Sequence, residues 1–418
     1  MVEQAAEVTT LENGLTVLTE RVTGRRPVTL GFWALSGSAD EPPELAGITH
    51  LIEHMVFRGT HRRRGEEIDR AMAAVGGELN GFVEREFTCF HARCLAEHIG
   101  MAADIIADML WNALLKPADI EREADIVAAE IASYEDSPGD VASDLIASAM
   151  WGDHPVARRV FGDIGNVRTM SSTQLREWAA KLFNPSRLLV AAAGDISHEQ
   201  LLGELHRHFE GHRATDVEKS LPEIVARPTR VVLHRGGGPV HVRVGAPAYA
   251  RRDDRRFAAR IICGALGGGP SSRLFRKVRE ERGLAYDVGA YGASYSCGGA
   301  FVLYAASGAE AVAQILQLFR AEMRDIAARG LTQDELAETK QQFLCQTEIA
   351  LDDVGARMER MADSYIHHGR VVPVQETLAK VRNVTMDQII EVAREMFTDS
   401  QLALAAVGPV DEHNLEAA

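Results

Sequence analysis

Residues 167–201 read VRTMSSTQLREWAAKLFNPSRLLVAAAGDISHEQL, and residues 381–415 read VRNVTMDQIIEVAREMFTDSQLALAAVGPVDEHNL. The two segments align without a gap at an offset of 214 residues. Val167/Val381, Arg168/Arg382, Gln174/Gln388, Glu177/Glu391, Phe183/Phe397, Leu188/Leu402 and Gly194/Gly408 are identical pairs. Each copy reads as a helix, a short turn and a buried strand that ends in glycine. Identity at one fixed offset over this length is hard to obtain from helix propensity alone, so the chain reads as an internal duplication. A period this long means two homologous domains rather than a solenoid.

Working outward from the copies, each half begins with alternating apolar segments. These are LTVLTERV (15–22) and VTLGFWALSG (28–37), then RVVLHRG (230–236) and PVHVRVGAP (239–247). Mostly helical stretches follow in both halves. Hairpin-paired strands with grouped helices predict an α+β fold: two homologous domains, each an antiparallel sheet packed with helices. Residues 211–228 (GHRATDVEKSLPEIVARP) are polar, lack periodicity and contain two prolines, as a linker does. The expected division is 1–212, a linker at 213–228, and 229–418.

The chain has 418 residues, 46% of them hydrophobic and 25% charged, which is enough apolar material for two sizeable cores. No apolar run approaches the roughly 18 residues of a membrane span. The N-terminus, MVEQAAEVTTLENGLTVL, is acidic and lacks the basic-then-apolar layout of a secretion signal. Five cysteines, an odd number scattered through the chain, do not read as a disulfide framework, and the expected compartment is the cytoplasm. A formal net charge of −15 argues against a nucleic-acid partner and favours basic ligands.

The chemistry concentrates at residues 50–54, His-Leu-Ile-Glu-His, within the apolar, helix-like stretch LAGITHLIEHMVF. On a helix, His50 and His54 lie one turn apart on one face. Two imidazoles so placed can hold one Zn²⁺, with a carboxylate as third protein ligand and water in the open position. Glu53 shares that face and can take a proton from the water. The order inverts the commoner His-Glu-x-x-His pattern. A pair of surface or core histidines would show the same spacing, so the decision rests on a third ligand.

Residues 117–136, PADIEREADIVAAEIASYED, supply candidates for it. Pro117 suits the first turn of a helix and Asp119 its N-terminal end. Ile120, Ala124, Val127 and Ile131 form an apolar stripe at helical spacing. Glu123 and Glu130 are seven residues apart and fall on nearly one face. One of them can bind metal while the other orients a ligand or the water. A solvated acidic face is the competing reading.

His-x-x-Glu-His followed by Glu-x₆-Glu resembles the pitrilysin family of zinc peptidases. LIEHMVFRGT (51–60) is similar to the family's stretch after the first His, and GGELNGFVEREFTCF (76–90) to its following hairpin. The resemblance implies His50, His54 and Glu130 as ligands of one Zn²⁺ per chain, Glu53 as general base and Glu123 as a supporting carboxylate. It places Asn80 on a strand that pairs with substrate backbone; where the family usually has Ala after this Asn, the chain has Gly81. It further implies a zinc endopeptidase acting on oligopeptides or unfolded segments inside an enclosed chamber.

The second half lacks the inverted motif and carries GGGPSSRLFRKVREERGLAYDV (267–288) instead. Its three glycines match neither a P-loop nor a dinucleotide fingerprint and read as a connecting turn. The resemblance assigns Arg279 and Tyr286 to hold the substrate carbonyl and main chain, a role a guanidinium and a phenol O–H can fill at an oxyanion. The chain's length is similar to the processing-peptidase branch, whose members pair two chains. One chain here carries both the zinc motif and the Arg/Tyr pair, so a homodimer is the simpler expectation, with a heterodimer containing a zinc-less partner as the alternative. A non-catalytic assembly subunit of the same fold is the competing function, and the intact motif weighs against it.

Overall fold

The computed structural model describes residues 5–209, 214, 221–411 and 415. Residues 213 and 215–220 of the expected linker lie outside the described residues, and 221–229 carry neither helix nor strand. The first half contributes β1 (Glu7–Thr10), β2 (Thr16–Arg21), β3 (Pro27–Ala34), β4 (Glu78–Val83), β5 (Thr88–Leu95) and β6 (Leu188–Gly194). The second contributes β7 (Arg230–His234), β8 (Val240–Ala248), β9 (Ala285–Tyr295), β10 (Gly298–Ser307) and β11 (Ala403–Gly408). Helices of the first half are α1 (Ile48–Val56), α2 (Gly65–Ala74), α3 (Ile99–Asn112), α4 (Pro117–Glu135), α5 (Pro138–Trp151), α6 (Ile164–Val167), α7 (Ser172–Leu182) and α8 (His198–Phe209). Those of the second are α9 (Arg255–Gly267), α10 (Val312–Arg329), α11 (Gln333–Ala350), α12 (Val354–His368), α13 (Val374–Arg382) and α14 (Met386–Met396).

Two sheets result, ordered β1-β2-β6-β3-β5-β4 and β7-β11-β8-β10-β9. The duplicated strands β6 and β11 hold equivalent places. Each has one parallel neighbour, β2 or β7, and one antiparallel neighbour, β3 or β8. All other pairings are antiparallel. Together with the helices this is the α+β duplication that the repeated segments predict.

The copies agree in detail. Helices α7 and α14 open on the same reciprocal cap. The Ser171 and Thr385 hydroxyls each accept the N–H of Gln174 and Gln388 at 3.3 Å, and each Gln Oε1 accepts the cap residue's own N–H at 2.9 Å. The strands β6 and β11 end at Gly194 and Gly408, with φ of +138° and +144°. A Cβ at Gly194 would fall 2.5 Å from the Pro27 carbonyl oxygen, and one at Gly408 2.8 Å from Val240 Cα, so only glycine fits either end.

One face of the first sheet builds the larger core, where Leu30, Phe32 and Phe90 pack with Leu51 and Ile52 of α1 and Ile105 of α3. The second sheet does the same with Val242, Phe301, Ile262 and Phe319. The opposite faces are covered by exchanged helices. Helix α12, from the second half of the chain, lays Met358, Met361 and Ala362 on Leu18, Trp33, Leu189 and Ala191 of the first sheet. Helix α5, from the first half, lays Val141 and Ala142 on Val407 of the second. Gly31 and Gly245, again 214 apart, make room for this. A Cβ would stand 2.7 Å from Met358 Sδ at Gly31 and 2.5 Å from Met150 Sδ at Gly245. Burying one such methionine side chain is worth about 1.5–3 kcal/mol. The buried Glu20 carboxylate adds an ion-paired anchor for α12, facing Arg357 and Arg360.

The compact units therefore interleave along the sequence. One compact unit gathers the described residues of Met1–Ile131, Arg159–Ser220 and Glu348–Pro373, and the other those of Ala132–Arg158, Leu221–Thr347 and Val374–Ala418. Each sheet needs an apolar cover on both faces, and in each case the second cover comes from the other half of the chain. Among the described residues no helix is long and apolar enough to cross a membrane.

Candidate metal centre

The inverted motif lies on α1, as its spacing requires. The helix starts at Gly47, whose φ of +98° suits glycine. The buried Glu41 carboxylate caps this end, accepting the N–H groups of Gly47 and Thr49 at 2.8 Å each. A carboxylate there satisfies two orphan donors and complements the helix dipole. Trp178 donates its indole N–H to Thr49 Oγ1 at 3.0 Å. With Leu51, Ile52, Met55 and Val56 fully buried, the helix is fixed and its histidine face is directed away from the core contacts.

His50, His54 and Glu130 converge. Glu130 Oε2 lies 3.7 Å from both His50 Nε2 and His54 Nε2, and the three ligand atoms all lie within 4.8 Å of one another. Donors about 2.1 Å from a tetrahedral zinc ion stand about 3.4 Å apart. The two Glu130 separations are close to that value, and with the imidazole nitrogens no more than 4.8 Å apart the donor set can close on the ion by side-chain adjustment. Among the described residues, this is the one group of His, Cys, Asp and Glu side chains with metal-binding geometry.

Protonation favours the same use. Burial, helped by the neighbouring His54, lowers the His50 pKa to about 4, so its lone pair stays free at neutral pH. Among the described residues His50 Nδ1 is buried without a partner. His54 differs: its Nδ1 donates to Glu123 Oε2 at 3.1 Å. A carboxylate only accepts, so the proton sits on Nδ1 and the Nε2 lone pair faces Glu130. Glu123 itself is 1% exposed, and its Oε1 receives the Arg58 guanidinium.

Glu53 stands beside this group, with Oε2 3.9 Å from His54 Nε2. Burial raises its pKa; His54 opposes the rise, while Glu130 and Glu123 add to it. Its carboxylate lies against β4. A Cβ at Gly81 would be 2.8 Å from Glu53 Oε1 and 3.1 Å from its Cγ. The glycine that departs from the family's alanine thus leaves space for the carboxylate. Asn80 is exposed on the same strand, pairs with His91 across the ladder, and accepts the Gly81 N–H at 2.9 Å. Strand β4 ends its sheet, with β5 on one side and no strand on the other among the described residues.

Arg279 and Tyr286 belong to the other compact unit. Arg279 sits in a short π-helical segment, Phe275–Glu280, and Tyr286 near the start of β9. The guanidinium stacks 4.7 Å from the Tyr286 ring and 4.8 Å from the Phe275 ring. Tyr286 stays 82% exposed, an unusual state for a large aromatic. The glycines 267–269 follow α9 as its terminus and turn, as expected from sequence.

Three contributors escaped the sequence reading. Arg58 had a usable signal, since it lies four residues after His54 and opposite in charge to Glu123. Glu41 lies six residues ahead of the residue it caps, beyond any capping pattern. The contact of Gly81 with Glu53 joins a strand to a helix and has no signature along the chain.

Two family models match the sequence: one described as Insulinase (Peptidase family M16) over residues 16–164, and one described as Peptidase M16 inactive domain over 169–343. The second region is the one without the inverted motif. An uncharacterized zinc protease of Streptomyces coelicolor is 37% identical, covering 97% of this chain and 90% of its own. One of Mycobacterium tuberculosis is 34% identical, covering 96% and 92%, and YmxG of Bacillus subtilis, also named a zinc protease, is 28% identical, covering 96% and 97%. A protease from Helicobacter pylori superposes with a TM-score of 0.89 at 19% identity, covering 97% of this chain and 100% of the other. A Pseudomonas fluorescens structure described as peptidase M16 inactive domain gives 0.90 at 17%, covering 97% and 98%. These structural likenesses speak for the fold, while the sequence matches decide the family: the chain belongs to peptidase family M16, the insulinase family, as the inverted motif and the paired glutamates imply.

Proposed function

We propose that this chain is a zinc-dependent endopeptidase that hydrolyses oligopeptides or unfolded peptide segments. The observation that carries the reading is the convergence of His50, His54 and Glu130 beside the buried carboxylate of Glu53. Relatives named zinc proteases at 34% and 37% identity support it.

His50, His54 and Glu130 would hold one zinc ion per chain. Bound there, zinc lowers the pKa of a coordinated water and polarises the scissile carbonyl. Glu53 accepts the proton of the attacking water and returns it to the leaving amine. Its burial-raised pKa makes it a better proton acceptor while it remains ionised. An extended peptide added to the free edge of β4, where Asn80 lies, would pass the Gly81 backbone and so the proton acceptor. Glu123 holds His54, and Arg279 and Tyr286 serve the substrate carbonyl and main chain. The stacking that fixes the Arg279 guanidinium and leaves Tyr286 exposed supports that assignment.

The proposal includes the enclosed chamber, the processing-peptidase branch, a cytoplasmic location and a homodimer, with a heterodimer containing a zinc-less partner as the other assembly. Chain length, cysteine usage and the presence of motif and Arg/Tyr pair in one chain support these points. A non-catalytic subunit has the complete donor set against it.

The test is cleavage of a quenched peptide library by the purified chain. Removing metal with a chelator abolishes cleavage, and stoichiometric zinc restores it. Undiminished cleavage by protein shown to be metal-free would overturn the proposal. In the same assay, Gly81→Ala should lower kcat about three- to tenfold with zinc affinity unchanged. Its Cβ displaces the Glu53 carboxylate by a few tenths of an ångström, and a full 1 Å error costs roughly 10²-fold. An unchanged kcat would mean that Glu53 does not need its place against β4.

A further inference from the structure

We propose that Arg58 is a positioning residue for metal binding: through Glu123 it sets the orientation and tautomer of His54. The inference rests on the zinc reading above and extends it to a residue outside the motif.

The two imidazoles are supported unequally. Among the described residues His50 Nδ1 has no hydrogen-bond partner, and its buried ring makes an edge contact with Phe161, 6.4 Å away between centroids. His54 has, among the described residues, the Glu123 carboxylate alone at Nδ1. The hydrogen-bonded control of imidazole orientation at this centre, among the described residues, therefore runs through Glu123. Helix α4 supplies that carboxylate from a nearly inaccessible position, and its two oxygens are divided between His54 and Arg58. Without Arg58, Oε1 would be a buried acceptor with no donor, and the carboxylate could rotate to recover one. Rotation would release His54 Nδ1, and with it the direction of the Nε2 lone pair toward Glu130.

Arg58 is suited to this task and to little else. It lies just past the end of α1, two residues beyond Val56, and its backbone N–H is bonded to the Met55 carbonyl at 3.1 Å. Its side chain is 49% exposed, so it adds little to the core. Its guanidinium reaches a carboxylate that contacts a ligand, not the ligand itself. Partners of this kind change metal affinity about 10–100-fold when removed.

Zinc affinity of the apo protein, measured by competition with a chromophoric chelator, tests the inference without any activity assay. Arg58→Met should weaken zinc binding about 10–100-fold, in protein that circular dichroism shows to be folded. Arg58→Lys, which keeps a cationic donor, should recover most of the loss. In a Glu123→Ala background, Arg58→Met should add nothing, because both changes break one chain of contacts. Should Arg58→Met fail to fold, Arg58→Gln carries the same comparison. Wild-type affinity in the folded Arg58 variants, or a full Arg58 effect in the Glu123→Ala background, would overturn the role of Arg58 while leaving the zinc centre standing. Failure of the wild type to bind zinc would overturn both.

Discussion

Glu53→Gln is expected to lower kcat for peptide hydrolysis by about 10³-fold or more while the protein keeps its zinc. General-base catalysis contributes roughly 10²–10⁴-fold, and glutamine has the shape of glutamate without its basicity. The fold should not suffer. The Glu53 carboxylate is buried and repelled by Glu130 and Glu123, both of which raise its pKa along with burial. A neutral amide relieves that repulsion and fits the same space against Gly81. Steady-state kinetics paired with metal analysis separates the two effects. Turnover within a few-fold of the wild type would remove Glu53 from its assigned role, and loss of zinc would turn it into a ligand.

Glu130→Ala should weaken zinc binding by more than the roughly 100-fold typical of losing an outer partner. Activity at limiting zinc should fall in proportion. The Glu130 side chain is 49% exposed, so its removal leaves no cavity and the melting temperature of the apo protein should hold. The reason for the large effect is geometric: its Oε2 is equidistant from both Nε2 atoms, and among the described residues no other carboxylate reaches both imidazoles. Glu53 is the nearest substitute, at 3.9 Å from His54 Nε2. Chelator competition on the variant, with Glu123→Ala alongside, ranks the two helix-borne glutamates. Equal and small effects would mean that Glu130 is a solvated acid and not a ligand.

The site was legible because helix periodicity is strict. Four residues separate His50 from His54 and seven separate Glu123 from Glu130, so each pair shares a face before any contact is known. Seven residues rise about 10.5 Å along a helix. That is too far for both carboxylates to share one ion, yet both reach His54, because its ring lies between them with Nδ1 toward Glu123 and Nε2 toward Glu130. Which glutamate would bind and which would support came from family resemblance and not from spacing. The duplication was legible for a similar reason, since caps and terminal glycines recur at one offset. The exchange of α5 and α12 was not. An apolar helix face shows that a cover is needed somewhere, and both sheets offer one of the same shape, with a glycine at 31 or 245 to admit a methionine. Arg279 and Tyr286 could be singled out only by resemblance, because a cation and an aromatic seven residues apart carry no chemistry of their own.

Zinc K-edge X-ray absorption on the wild-type protein loaded with one equivalent of zinc reaches the centre most directly. Two imidazole nitrogens and oxygen donors at about 2.0–2.2 Å are the expected first neighbours, with the imidazole signal reduced in His54→Ala. A spectrum dominated by sulfur near 2.3 Å, or one without imidazole scattering, would contradict the account.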